Sequence, residues 1–301
     1  MDIGFTKLSG SGNDFICIDN RDARFDDLIS SGNDIGRFAK TLCRRGLGVG
    51  ADGVIFACQP EIEGVADVAA RFFEADGSEV ELCGNGTGCF VHWVMTNGWL
   101  GPGEIKILTP AGVVRGSDSG DNYSRVCIPL PEGLQMNIDL QVNGEVFECD
   151  YVVTGVPHTV CRVDDLARLD VEKFGRLFRH HPAFAPRGVN ANFVQVLGEG
   201  DIAVRTYEFG VEGETLACGT GSASAAIITA LREKWGEDYR LGRKPVLVHA
   251  RGGDVLRIFF TADQQDNIVD VCLETRVRLI YTGVLGPDMM QALEPGPESS
   301  S

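Results

Sequence analysis

The chain has 301 residues, 44% of them hydrophobic and 23% charged, with a net charge of −16. This length and apolar content predict a sizeable core, more naturally divided between two domains than held in one. The acidic balance argues against nucleic acid and anionic membranes as partners, because both repel a negative surface. We find neither a charged-then-apolar leader nor a bilayer-length apolar run, so the sequence predicts a cytoplasmic protein.

In chain order, the pattern predicts short strands punctuated by Gly, Asp and Pro, and a few longer helices. Strands are expected at residues 15–19, 54–58, 69–73 and 125–130. Helices are expected at residues 34–45, in the run after Cys83, at 171–180, and from Cys218 through 234. The end of the chain, rich in Pro, Gly, Glu and Ser from residue 294 to 301, is typical of a disordered tail.

The second half of the chain repeats the order of the first. Residues 13–16 have an apparent counterpart in 191–194, and residues 105–115 in 246–258. We therefore expect two similar α/β halves that face each other across a cleft and supply one thiol each. The predicted halves are residues 1–130, with the option of an added C-terminal strand at 272–285, and residues 131–285, followed by a tail at 286–301.

Two cysteines stand in near-copies of one motif, LCGNGTG at residues 82–88 and ACGTGS at residues 217–222. Each motif follows an acidic turn and precedes a run of apolar and small residues, so each sulfur is predicted at the start of a buried helix. Unpaired N–H groups and the helix dipole stabilise a thiolate there and also bind an anion. Two matched thiols, Cys83 and Cys218, indicate a two-base proton-transfer site.

The remaining cysteines lie singly in apolar segments. This is typical of buried, reduced thiols rather than of a disulfide scaffold, and nothing near Cys89 completes a metal-binding set. We expect this of Cys17, Cys43, Cys58, Cys89, Cys127, Cys149, Cys161 and Cys272.

Taken together, the motifs resemble those of the diaminopimelate epimerase family of cofactor-independent amino-acid epimerases and racemases. The matching pieces are residues 9–15 (SGSGNDF), 48–53 (GVGADG), 75–79 leading to 83–86, Pro157-His158, 189–193 (VNANF), and Glu208 leading to 214–221. They run in family order over nearly the whole chain. The resemblance implies an α/β (α+β) fold of two pseudo-symmetric domains, each with a mixed or antiparallel sheet wrapped around a central helix. It also implies an active site between the domains, no cofactor or metal, a small amino-acid substrate and a homodimer.

The resemblance assigns Cys83 and Cys218 as the catalytic pair, one removing the α-proton as a thiolate and the other supplying a proton as a thiol. The helix N-termini would stabilise the developing carbanion through the substrate carboxylate. The substrate-binding residues implied by the family pattern, or standing at its positions, are Asn13, Glu74, Gly84, Asn85, His158, Asn190, Glu208, Phe209, Gly219 and Thr220.

Three positions depart from the family pattern: Glu74 and Val156 stand where it has Asn, and Phe209 where it has Arg. An Arg-to-Phe change removes a charge-assisted carboxylate contact. The first hypothesis remains epimerisation of LL- to meso-diaminopimelate. The second is a racemase for an amino acid with a cationic or uncharged distal end, such as lysine, ornithine, arginine or histidine. The third, a thiol–disulfide redox protein, leaves the flanking motifs without a purpose.

Overall fold

The computed structural model describes residues 2–27 and 33–291. The chain divides into two compact units, which we call unit 1 (Met1–Val126 and Val277–Ser301) and unit 2 (Cys127–Arg276). Within the described ranges, no helix is both long and apolar enough to cross a membrane. The predicted tail begins in a short helix, because Leu285 and Met289 pack against the core of unit 1. Its remainder, from residue 292, lies outside the described residues.

Unit 1 is a mixed sheet with two crossover helices. Its elements are β1 (Gly4–Gly10), β2 (Asn13–Asp19), α1 (Asn33–Cys43), β3 (Gly53–Cys58), β4 (Val68–Glu74), β5 (Glu79–Val80), α2 (Gly84–Thr96), β6 (Glu104–Thr109), β7 (Gly112–Gly120) and β8 (Tyr123–Cys127). Strands β2 and β3 pair in parallel across α1, and β4 and β6 across α2, whereas β1–β2, β3–β4, β6–β7 and β7–β8 are antiparallel.

Unit 2 uses the same plan. Its elements are β9 (Glu132–Val142), β10 (Glu145–Thr154), β11 (Val156–Arg162), α3 (Val171–Arg179), a 3₁₀ turn (Pro182–Phe184), β12 (Asn190–Gly198), β13 (Asp201–Glu208), β14 (Gly213–Glu214), α4 (Gly219–Arg232), α5 (Glu237–Arg240), β15 (Val246–Ala250), β16 (Val255–Ala262) and β17 (Ile268–Val284), the last continuing into unit 1, where α6 (Pro287–Gln291) follows. Here the parallel pairs are β11–β12 across α3 and β13–β15 across α4.

The repeat extends to the register of individual residues. Phe15 pairs with Gly53 in unit 1, and His158 pairs with Asn190 in unit 2. Bidentate ion pairs then recur at matching positions: Arg71 with Glu79, and Arg205 with Glu214. These pairs fix the equivalence of β4 with β13 and of β5 with β14.

This register corrects one sequence-based pairing. Residues 13–16 belong to β2, whose equivalent is β11, while residues 191–194 belong to β12, the equivalent of β3. The short likeness of Asp-Phe-Ile at residues 14–16 to Asn-Phe-Val at residues 192–194 misled the comparison, because strand order and register decide equivalence in a sheet.

A buried helix lies at the centre of each unit. In α2, ten consecutive residues from Asn85 to Val94 are buried, and the helix packs against β1, β2, β3 and β7. In α4, a run rich in Gly, Ala and Ser packs against β10, β11, β12, β13, β15 and β16. Helices that are apolar on all sides require such enclosure. The predicted arrangement, a sheet wrapped around a central helix, is therefore confirmed within each unit.

The expectation that all ten cysteines are reduced is wrong for one pair. Cys127 and Cys272 form a disulfide within unit 2, at a sequence separation of 145. Cys127 ends β8 and Cys272 lies in β17, which pair in the sheet, so the two sulfurs meet through tertiary structure. The other eight cysteines are free.

Candidate active site

Each of the two motif cysteines caps a central helix, as the sequence predicts. Cys83 is the N-cap of α2 and Cys218 the N-cap of α4, both with extended backbone conformations. The first intrahelical bonds run from the Thr87 N–H to the Cys83 carbonyl at 2.7 Å and from the Ser222 N–H to the Cys218 carbonyl at 2.8 Å. The backbone N–H groups of the two residues directly after each cysteine come before these first bonds. The helix therefore does not use them, and they are available to an anion. They belong to Gly84, Asn85, Gly219 and Thr220.

In unit 1, Asn13 and Asn85 are held together beside the N-terminus of α2. The Asn85 amide nitrogen donates to the Asn13 carbonyl oxygen at 2.8 Å, and the Asn13 amide nitrogen donates to Asp52 at 3.2 Å. Asp52 in turn accepts from the Asp14 N–H and pairs with Arg45 at 3.0 Å. Thus a chain of hydrogen bonds fixes which way the Asn13 amide faces.

The charges behind this chain are compensated. Asp14 makes ion pairs with Lys7 and Arg45, both at 2.8 Å. Burial alone would raise the pKa of Asp14, but hydrogen bonds and attraction from the two cations outweigh it and lower the pKa. At the Asn85 end of this chain of hydrogen bonds, the buried side-chain oxygen of Asn85 (Oδ1) has no hydrogen-bond partner among the described residues. An unsatisfied acceptor of this kind is costly unless a ligand donates to it.

In unit 2, Cys218 lies among several polar groups. Its sulfur accepts from the Gly221 N–H at 3.4 Å, lies 3.7 Å from the Thr220 hydroxyl and shares a hydrogen bond with Glu208. Burial, followed by repulsion from Glu208, raises the pKa of the Cys218 thiol, while the Gly221 and Thr220 contacts lower it. Burial likewise raises the pKa of Glu208, which also accepts from the Thr215 hydroxyl. The hydrogen bond between them raises the pKa of Cys218 and lowers that of Glu208, so the thiol is the donor and the carboxylate the acceptor.

His158 lies close to Cys218 and is fully buried on β11. Its ring contacts the Thr220 hydroxyl at 3.1 Å through Nε2 and the Asn192 amide nitrogen at 3.2 Å through Nδ1. Desolvation lowers its pKa from 6.5 to about 3, so the imidazole is neutral near pH 7. Sequence reasoning did not single out Asn192. The only available signal was its place two residues after Asn190 in one strand, which puts both side chains on one face.

The residues that depart from the family pattern lie at strand ends. Val156 opens β11, while Phe209 directly follows β13 and is 38% exposed. The Phe209 N–H donates to the side-chain oxygen of Asn190 at 2.8 Å, so the side-chain nitrogen of Asn190 faces away from Phe209. On the other side, the Arg179 guanidinium stacks on the Phe209 ring at 4.6 Å. Phe209 is therefore part of an ordered turn, supported by a cation–π contact.

Equivalent positions in the two units carry unlike side chains. Glu74 ends β4 as Glu208 ends β13, but Gly53 stands where Asn190 does and Phe15 where His158 does. The backbone is thus repeated around both cysteines, whereas the polar surroundings are not.

One cluster has the spacing of metal ligands within the part of the chain that the structure describes. It consists of Cys127, Asp270 and Cys272. Both of its sulfurs are in the disulfide, and a disulfide does not supply the thiolate ligands that metals bind.

A duplicated fold with a cysteine capping the central helix of each unit places the protein among the isomerases that act as amino-acid epimerases and racemases. The family model described as "Diaminopimelate epimerase" matches residues 5–127 and 151–273, one segment in each half of the chain. The chain belongs to the diaminopimelate epimerase family.

Individual relatives agree. The chain is 38% identical over 289 residues to the diaminopimelate epimerase of Aquifex aeolicus (strain VF5), covering 95% of this chain and 99% of that protein. The fold is shared more widely. A phenazine biosynthesis protein of the PhzF family from Bacillus anthracis superposes with a TM-score of 0.71 at 16% identity, covering 95% of this chain and 99% of that one. A probable proline racemase from Agrobacterium radiobacter K84 gives 0.67 at 14% identity, covering 97% and 95%.

Proposed function

We propose that the protein epimerises LL-diaminopimelate to meso-diaminopimelate, a step that serves lysine and cell-wall synthesis. The observation that carries the proposal is the helix-capping cysteine of each unit, Cys83 and Cys218, each followed by two amides that its helix leaves unused. Family membership adds the substrate, because the curated relatives are named diaminopimelate epimerases.

The chemistry of α-carbon inversion assigns a role to each group. The α-proton is weakly acidic, so the carboxylate needs strong stabilisation as the carbanion develops, and helix N-terminal amides provide it. One cysteine removes the proton as a thiolate, and the other returns a proton to the opposite face as a thiol. The reverse reaction exchanges these roles, so one sulfur is charged and the other neutral at each moment.

The groups around Cys218 offer a hydrogen-bond partner to each protonation state of its sulfur. As a thiol, it is hydrogen-bonded to Glu208, which accepts its proton when Cys218 must act as a base. As a thiolate, its sulfur keeps the donors Gly221 and Thr220. Asn13, Asn85, Asn190 and the other family-matched residues retain the substrate-binding roles expected from the sequence.

The distal end of the substrate is where this chain differs from its family. With Phe209 in place of Arg, part of the usual contact to the distal carboxylate is replaced by an aromatic surface on Arg179. Asn190 remains, and its amide nitrogen is oriented as a donor, which suits a carboxylate oxygen. The names of the relatives support diaminopimelate and give no support to a basic amino acid or to a redox function. The homodimeric state implied by the family and the cytoplasmic location remain predictions.

The test is a substrate panel in heavy water with reduced, purified protein. LL-diaminopimelate, L-lysine, L-ornithine, L-arginine and L-histidine are scored by chiral chromatography and by α-deuterium incorporation. We expect inversion and deuterium uptake with LL-diaminopimelate alone. Efficient racemisation of a basic amino acid, with diaminopimelate inert, would replace the substrate assignment but keep the reaction type. Retention of the α-proton in every substrate would refute the reaction itself.

A further inference from the structure

A chain of buried and partly buried hydrogen bonds runs through unit 2 to the Cys218 sulfur. The Thr206 hydroxyl donates to the Asn192 carbonyl oxygen at 2.9 Å, and the Asn192 amide nitrogen lies 3.2 Å from His158 Nδ1. His158 Nε2 lies 3.1 Å from the Thr220 hydroxyl, which lies 3.7 Å from the Cys218 sulfur. We call these five residues the Asn192 relay. Thr206, Asn192 and His158 are all at most 4% exposed.

A backbone carbonyl sets the direction of every bond in the relay. The Asn192 amide nitrogen donates to the Thr159 carbonyl oxygen at 2.7 Å, and because that oxygen can only accept, the amide cannot be flipped. The same nitrogen faces His158 Nδ1, so Nδ1 accepts and the ring proton is on Nε2. Nε2–H then donates to the Thr220 oxygen, which leaves the Thr220 hydroxyl proton free to donate to Cys218.

The fold does not require this chain. In unit 1, Ile55 stands at the position of Asn192, Phe72 at that of Thr206, and Phe15 at that of His158. All three are buried apolar residues on the same backbone plan. A polar network in one unit, where the other has ordinary core packing, indicates a role beyond stability.

The relay is also packed tightly against the start of α4. A Cβ at Gly221 would lie 2.3 Å from the Asn192 carbonyl oxygen and 3.1 Å from the Cys218 sulfur. Only glycine allows the helix N-terminus to approach this side chain so closely. The sequence thus provides the Asn192 side chain and, through Gly221, the space for it beside Cys218.

We propose that Asn192 is a positioning residue that fixes His158 as the Nε2–H tautomer and thereby holds the Thr220 hydroxyl as a donor to the Cys218 sulfur. Its catalytic consequence rests on the proposed function, since a donor to the sulfur matters most when Cys218 is a thiolate. Asn192 contacts neither the sulfur nor, on this proposal, the substrate.

The sharpest variant is Asn192→Asp, which keeps the shape but places an oxygen where the amide nitrogen donates to both His158 Nδ1 and the Thr159 carbonyl oxygen. The new oxygen accepts from His158, so the ring proton moves to Nδ1, Nε2 becomes the acceptor for Thr220, and the sulfur loses its hydroxyl donor. We expect ¹⁵N spectra of histidine-labelled protein to show a protonated Nε2 at His158 in the wild type and a protonated Nδ1 in the variant. We expect kcat to fall about 10- to 100-fold with KM nearly unchanged, as for the loss of one hydrogen bond to a charged group.

A second pair of variants tests the last link independently. Thr220→Val removes the hydroxyl and is expected to lower kcat as much as Asn192→Asp, with the His158 tautomer unchanged, and Thr220→Ser is expected to restore most of it. Combining Asn192→Asp with Thr220→Val is expected to cost no more than the worse single change, because both act through one donor. The matched control is Thr154→Val, which removes another buried hydroxyl, paired with Ser224 at 2.9 Å. It should leave both tautomer and kcat as in the wild type.

A readout that needs no turnover separates this proposal from the proposed function. The pH dependence of alkylation at Cys218, followed by peptide mass spectrometry, reports formation of its thiolate. We expect its midpoint to rise by about one pH unit in Asn192→Asp and in Thr220→Val, but not in Thr154→Val. A wild type that inverts no amino acid would refute the proposed function while these measurements still decide the relay. An Nδ1–H tautomer in the wild type, or unchanged Cys218 titration in both variants, would overturn it.

Discussion

The burial of His158 makes a quantitative prediction about acid stability. Its pKa falls from 6.5 to about 3 because burial removes the charged form from water. A folded-state pKa below the unfolded value means that the unfolded chain binds the proton first. The contribution of His158 to stability is therefore complete above pH 6.5 and is lost as the pH falls towards 3.

The size of the effect follows from the same shift. A pH of 5 lies 1.5 units below the pKa of the unfolded histidine, 6.5, so the unfolded histidine is protonated there. The folded one, with a pKa of about 3, is still neutral. At 1.36 kcal/mol per unit, acidification from pH 7.5 to 5 costs unit 2 about 2 kcal/mol of unfolding free energy through this group alone. In His158→Gln, which carries no titrating ring, that part of the loss should disappear.

Hydrogen exchange of the β11 and α4 amides, corrected for intrinsic rates at each pH, measures the opening free energy of this unit without assuming two-state unfolding of the whole chain. The control is His249→Gln. This histidine of the same unit is partly exposed and bonded to Asp201, and its removal should leave the loss of about 2 kcal/mol in place. If wild type and His158→Gln lose the same free energy between pH 7.5 and 5, then His158 is protonated in the fold and the neutral-imidazole argument fails.

Three further predictions concern the reaction. Cys83→Ala and Cys218→Ala should each lower inversion of LL-diaminopimelate by at least about 100-fold, measured by chiral analysis, because each removes one of the two proton-transfer groups; wild-type turnover in either would contradict its assignment. Gly221→Ala should lower kcat by about tenfold or more while the protein remains folded by circular dichroism, because the new Cβ lies 2.3 Å from a buried amide oxygen; unchanged kcat would show that the helix start has room to shift. Glu74→Asn combined with Phe209→Arg should raise kcat/KM for diaminopimelate by roughly tenfold, as expected for a restored carboxylate contact; an unchanged kcat/KM would place these residues outside the distal contacts.

Sequence reasoning succeeded where local chemistry decides structure. A glycine-rich turn before a run of small and apolar residues can only begin a buried helix, so the capping positions of Cys83 and Cys218 were predictable. Strands such as β3 and β4 were equally accessible, because continuous apolar runs between turn residues are typical of buried strands.

What could not be predicted depends on register. Cys127 and Cys272 pair because two strands are neighbours in the sheet, and no local feature signals a partner 145 residues away. The equivalence of Phe15 with His158 also follows from strand pairing, not from likeness of the residues. Asn192 had the weakest signal in the sequence. Its side chain bonds to four partners contributed by three strands, and no helix or turn pattern marks such a residue.

The difference between the two cysteine surroundings is itself a requirement of the chemistry. Two thiols in identical surroundings would share one intrinsic pKa, and nothing would decide which of them holds the proton. Here the backbone and helix dipole are repeated, but Cys218 is buried beside Glu208 and the Asn192 relay, whereas Cys83 is partly exposed, with apolar Phe15 and Ile55 at the equivalent relay positions. Duplication thus supplies two thiols on matching scaffolds, and divergence of the buried polar residues gives them different surroundings. An enzyme that inverts its substrate in both directions needs the two matching thiols. An enzyme that starts each cycle in a defined protonation state needs the different surroundings.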